Sequence, residues 1–111
     1  MTETNATTNS ILDFLFRAGI FAWRSNVAPI PIQRKGQVVG FRSGGKAGSP
    51  DVEGILPPHG KYFGIEVKTG KDSLRPSQLG FHKTARASGA MILVVKDYSD
   101  FLEQWYSSRI K

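Results

Sequence analysis

The stretch from Asp51 to Lys68 constrains the fold of this chain more than any other. Two short runs of strand-forming residues flank Pro57-Pro58-His59-Gly60, a strong turn sequence. Centring the turn between Pro58 and His59 sets Val52 opposite Ile65, Gly54 opposite Phe63 and Leu56 opposite Lys61. Asp51 then lies opposite Glu66. Side chains alternate faces along a strand. One face of this hairpin therefore carries Val52, Leu56, Phe63, Ile65 and Val67, an apolar set suited to a core. The other carries Asp51, Glu53, Glu66 and Lys68. A slip of one residue mixes the two sets, so the register is specified by the pattern itself.

The remaining elements follow from periodicity and from start and stop residues. A helix is predicted from about Thr8 to Ala18, with Ile11, Phe14, Leu15 and Ala18 as its apolar stripe and Gly19 as its stop. The polar residues 1–6 are expected to fray. Ile20 to Val27 reads as a strand and Gln37 to Arg42 as a shorter one; the hairpin strands are Asp51 to Leu56 and Tyr62 to Lys68. A second helix starts near Pro76, since proline suits a first helical turn, and ends before Gly89. Ala90 to Val95 is apolar throughout, the pattern of a strand buried on both faces. A last helix runs from about Ser99 to Ser107, offering Phe101, Leu102 and Trp105 for packing. The order is αββββαβα, an α/β fold with a mixed sheet, expected to form one domain over residues 1–111.

Composition narrows the chemistry. The chain has no cysteine, so disulfides and thiolate metal sites are excluded, and any metal must be held by carboxylate, carbonyl oxygen or imidazole. No apolar run approaches the roughly 18–20 residues that span a bilayer, and MTETNATTNS lacks the basic start and apolar stretch of a signal peptide. No membrane partner is expected, and the cytoplasm is the default location. A formal charge of +6, from 15 Lys and Arg against 9 Asp and Glu, favours a polyanionic partner, nucleic acid ahead of an acidic membrane surface.

The polar face of the hairpin carries the chemistry. Directly opposed strand residues have Cβ atoms roughly 4.5–5.5 Å apart. Two carboxylates so placed repel unless one is protonated or a cation sits between them. Clustered carboxylate oxygens suit hard cations such as Mg²⁺, which keeps several waters and also holds phosphate oxygens. Lys68 projects to the same face as Glu66, where it can orient or deprotonate a water and stabilise charge on a phosphate. The Val67 carbonyl between them is a possible further ligand. Metal, water and a cation on one face are what phosphodiester hydrolysis requires. An isolated Glu-X-Lys tripeptide is ordinarily just an exposed ion pair. Asp51 at the matching position, after Gly48-Ser49-Pro50, is what gives this one weight.

Gly48-Ser49-Pro50-Asp51, Gly54-Ile55-Leu56 and Phe63-Gly64-Ile65-Glu66-Val67-Lys68 together resemble the PD-(D/E)XK nuclease signature, and more narrowly that of the VRR-NUC (virus-type replication-repair nuclease) family. Ser77-Gln78 opening a helix, Phe81, Gly89 before the last strand and the acidic helix start at Asp97–Asp100 also match. The resemblance runs from the first helix to Trp105. It implies a restriction-endonuclease-like core and Mg²⁺- or Mn²⁺-dependent hydrolysis of DNA, with branched or four-way-junction DNA as the expected substrate. It implies that Asp51 and Glu66 are metal ligands, Lys68 the catalytic lysine and Gln78 a supporting residue. At helical spacing Gln78 also shares a face with Phe81 and Ala85. Family members often carry a glutamate early in the first helix. Here that region reads Glu3-Thr4-Asn5-Ala6, so the third acidic ligand is Glu3, Glu53 or none. A catalytically silent DNA-binding module and an RNA-processing nuclease subunit are the alternative readings.

Arg42 and Lys46, with the glycines at 44, 45 and 48, form a basic loop ahead of Asp51, where close backbone approach and cations suit phosphate. Lys71, Arg75, Lys83 and Arg86 extend this candidate DNA surface past the site. Trp23, near Arg24 and Asn26 at the end of the first strand, reads as core. His59, in a turn, and His82, beside Lys83 on a helix, read as ordinary polar residues. A homodimer is expected, since one carboxylate cluster makes one incision and a junction needs two. Val38, Val39 and Phe41, or Phe101 and Trp105, are candidates for its interface.

Overall fold

A computed structural model describes residues 2–25, 30–42 and 46–110, with nothing stated of the side chains at 109 and 110. Asn26, Val27, Ser43, Gly44 and Gly45 lie outside the described residues, so the predicted end of the first strand and the middle of the glycine loop do too. The elements are α1 (Glu3–Arg17), β1 (Phe21–Arg24), β2 (Ile30–Arg34), β3 (Gln37–Arg42), β4 (Val52–Leu56), β5 (Lys61–Val67), α2 (Pro76–Ala87), β6 (Met91–Val95) and α3 (Tyr98–Ile110). This is the expected α/β order with one strand more, β2.

A mixed four-stranded sheet has the order β1-β4-β5-β6, while β2 and β3 form a separate two-stranded ribbon. Val52 pairs with Ile65, Gly54 with Phe63 and Leu56 with Lys61, the register read from the alternation of the hairpin. β6 then pairs parallel to β5, Val67 opposite Val95. Val52, Phe63, Ile65 and Val67 are buried with Ile11 and Leu15 of α1 and Phe101 and Trp105 of α3. The Phe63 and Trp105 rings meet edge to face, 5.4 Å between centroids. Since successive strand residues face opposite ways, Glu66 projects to the other side, where Gln78 of α2 meets it.

Three expectations change. α1 begins at Glu3 and not near Thr8, because Thr2 caps it: the Thr2 side chain accepts from the Asn5 N–H. Phe101 and Trp105 complete the core and are not available to an interface. Trp23 is 37% exposed, because β1 is the edge of the sheet, and it rests on the neighbouring Phe21 ring and not in the core.

Candidate active site

Local backbone geometry brings Asp51 to the end of β5. Gly48 has a φ of +80°, and a Cβ there would overlap the Ser77 carbonyl, so the loop before Asp51 can lie against the start of α2 only as glycine. Gly64 offers the second opening: a Cβ on it would collide with the ring of Pro50. Pro50 therefore seats fully buried on β5, and Asp51 follows it. The Asp51 carboxylate accepts from the Val67 N–H at 2.8 Å. This holds it beside Glu66, as the hairpin register requires.

Glu66 is 2% exposed. Its Oε1 accepts from Gln78 Nε2 at 2.9 Å and lies 4.0 Å from Lys68 Nζ. Gln78 is itself fixed, its Oε1 accepting from the Arg75 N–H at 2.9 Å. Burial raises the Glu66 carboxyl to about 8, and the charge of Asp51 adds to the rise. Lys68 opposes it, and Arg75 does so less. Two carboxylates in one partly dry place disfavour being charged together. That is the electrostatic condition a bound cation relieves.

The structure also brings in a residue that the sequence reading set aside. His82 is 2% exposed, and its Nε2 lies 3.8 Å from Glu66 Oε2; both atoms are buried without a hydrogen-bond partner. Burial first, then the positive charges of Arg86 and Lys68, hold the imidazole below its ordinary range, towards the neutral form. The signal was one helical turn of spacing. Gln78 and His82 stand at i and i+4 and are the buried pair of α2, whereas Phe81 is only half-buried.

Neither candidate for a third carboxylate joins the pair. Glu53 shares the face of Glu66, as expected, but accepts from the Tyr62 hydroxyl at 2.7 Å, and that bond together with burial drives the Tyr62 pKa up. Glu3 is exposed in the first turn of α1. That turn still reaches the site region through its neighbours: Thr4 Oγ1 lies 2.7 Å from Thr69 Oγ1, and Asn5 Oδ1 accepts from Arg24. Among the described residues no group of three or more Asp, Glu, His or Cys side chains gathers to hold a metal. Two carboxylates and the Val67 carbonyl remain. That donor set fits Mg²⁺, which is bound through one or two carboxylates and keeps several of its waters.

The expected phosphate-facing cations lie on several elements of the fold. Arg42 ends β3, Lys46 precedes the Gly48 turn, Lys71 follows β5, Arg75 precedes α2 and Lys83 is on its exposed face. Arg75 is close enough to Glu66 to act on its charge. Arg86 is partly spent, its guanidinium donating to the Ile92 carbonyl at 3.0 Å. Among the described residues no helix is long and apolar enough to cross a membrane.

No family model matches the chain, and no curated protein does. Among solved structures, one described as a VRR_NUC domain superposes with a TM-score of 0.61 at 22% identity, over 89% of this chain and 89% of that one. The likeness is one of fold.

Proposed function

We propose that this chain, which has the fold of a VRR_NUC domain, is a divalent-metal-dependent DNA endonuclease of the PD-(D/E)XK type. The observation that carries the reading is the meeting of Asp51 and Glu66 at the end of β5, with Lys68 Nζ 4.0 Å from the Glu66 carboxylate. Asp51, Glu66 and the Val67 carbonyl would hold Mg²⁺ or Mn²⁺. When bound, the ion supplies a water of lowered pKa and charge neutralisation at the phosphate. Lys68 is placed to orient that water and to stabilise charge on the phosphate oxygens. Gln78 keeps the Glu66 carboxylate turned to the site by holding Oε1. Lys46, Lys71, Arg75 and Lys83, with Arg42 and a partly engaged Arg86, are the surface on which DNA backbone lies.

Four-way or otherwise branched DNA is the substrate proposed, and a homodimer the active form. Val38, Val39 and Phe41 are 54%, 58% and 66% exposed on β3, apolar surface in search of a cover. A two-fold dimer through it presents two identical sites to a pseudo-symmetric junction. The deciding experiment is cleavage of duplex, flap, single-stranded and four-way-junction DNA with Mg²⁺ or with EDTA. Cutting should require the metal and be abolished by Asp51→Asn and by Glu66→Gln, with DNA binding retained. Wild-type activity in excess EDTA, or full activity of either variant, would refute the assignment.

A further inference from the structure

A second recess adjoins the carboxylate site. A cavity of about 450 Å³ opens between Lys46–Ala47 and the face of α2 that carries Ser77, Gly80, Phe81 and Thr84. Each wall leads directly into the site: Lys46 and Ala47 precede the turn that delivers Asp51, and Ser77 precedes Gln78, whose amide holds Glu66. The interior is largely apolar, with the Phe81 ring for a planar group to lie on. The hydroxyls of Ser77 and Thr84 can donate or accept, and Lys46 adds one cation to the lining. Gly80, on the same wall, leaves the space beside the helix open. It lies inside α2, where glycine costs stability relative to alanine, yet a Cβ built on it meets no atom of the described residues within 4 Å. Among the described residues no packing explains this glycine.

We propose that this recess takes an unpaired nucleobase of the DNA strand whose phosphate lies at Asp51 and Glu66. The inference rests on the nuclease reading above and deepens it by naming the substrate feature recognised. A nucleobase has apolar faces for Phe81 and polar edges for Ser77 and Thr84, and it carries a phosphate for Lys46. Inside a duplex its faces are covered by its neighbours, so only a nucleotide already unpaired, or turned out of the stack, can enter. The recess therefore favours DNA with unpaired nucleotides beside the cut over continuous duplex.

The test uses full-length protein in EDTA and a branched DNA carrying 2-aminopurine as an unpaired nucleotide at the branch. Wild type should change the probe's fluorescence saturably. Phe81→Ala, which removes the stack, and Gly80→Leu, which fills the recess, should abolish that change. Both should weaken binding of the branched DNA by about 5- to 150-fold, the range one base–aromatic stack contributes, and binding of the matched duplex less than twofold. Gly80→Leu should melt no lower than wild type, which separates loss of the recess from loss of fold. Equal binding by all three proteins, or equal loss on branched and duplex DNA, overturns the proposal. So does a Gly80→Leu protein that keeps the probe signal but changes oligomeric mass, since the occupant would then be a second copy of the chain. Failure of the nuclease reading looks different: an intact fluorescence signal with no metal-dependent cleavage of any DNA.

Discussion

At the scale of single residues the site is a balance among Asp51, Glu66, Lys68, Gln78 and His82. Lys68 acts on the chemical step in the proposed mechanism. Lys68→Ala should therefore lower turnover by about 10²-fold or more, the scale for losing one transition-state stabiliser, while calorimetry finds Mg²⁺ affinity preserved. A collapse of Mg²⁺ affinity would make it a structural partner of the carboxylates instead. Glu66 predicts a pH dependence in the metal-free protein. Its carboxyl is raised from 4.5 to about 8 in the folded state, first by burial and then by Asp51. Folding thus favours its protonated form. The stabilisation is complete below about pH 4.5 and is lost as pH rises through about 8. Melting in EDTA should show wild type losing more stability than Glu66→Gln between pH 5 and pH 8.5, and Mg²⁺ should restore it at the upper end. Parallel pH curves for the two proteins would contradict the burial argument. Asp51 and Glu66 were readable from sequence because both sit in one hairpin of period two. His82 was not. What faces it comes from β5, and no periodicity within α2 names a partner on another element.

At the scale of elements, glycine and proline decide how closely the parts approach. Gly64 makes room for Pro50, and Pro50 leads into Asp51. Gly64→Ala should force the ring off β5, costing about 1–3 kcal/mol as an overpacked core site does. Urea unfolding measures this, and activity should fall with it because Asp51 moves. An unchanged urea midpoint would show that the Pro50 loop has slack. The order of the helices, the proline start of α2 and the hairpin register were legible, resting on turn residues and alternation, whereas the Thr2 cap that starts α1 at Glu3 was not. β2 was missed for a physical reason. Pro31 lies inside it and cannot donate to a ladder, which argues against a strand anywhere except at an edge. β2 is such a strand, in a ribbon whose turn sets Lys35 and Gly36 at φ of 52° and 78°. That pair of left-handed residues suits a tight hairpin.

For the whole molecule the shape matters. The described architecture measures 55 × 31 × 27 Å, with a radius of gyration of 15.5 Å against about 13 Å for a compact chain of 100 residues. The β2–β3 ribbon stands apart from the main sheet with its apolar side chains exposed. If these form the dimer contact, light scattering should report about twice the 12.2 kDa chain mass, and Phe41→Glu should return a monomer that still folds. A wild-type monomer at tens of micromolar that cuts flaps but leaves junctions whole would remove the dimer and leave the nuclease reading standing. The amino-acid sequence alone determined the hairpin register, the opposition of Asp51 and Glu66, and the helices flanking a mixed sheet. Those features arise from local period, turn chemistry and the segregation of apolar from charged side chains. Only the tertiary structure decided which helix face meets the carboxylates, that Glu53 is engaged by Tyr62, and that Gly80 borders an open recess. Such facts depend on distances between elements far apart in sequence, and those are set by how whole faces pack.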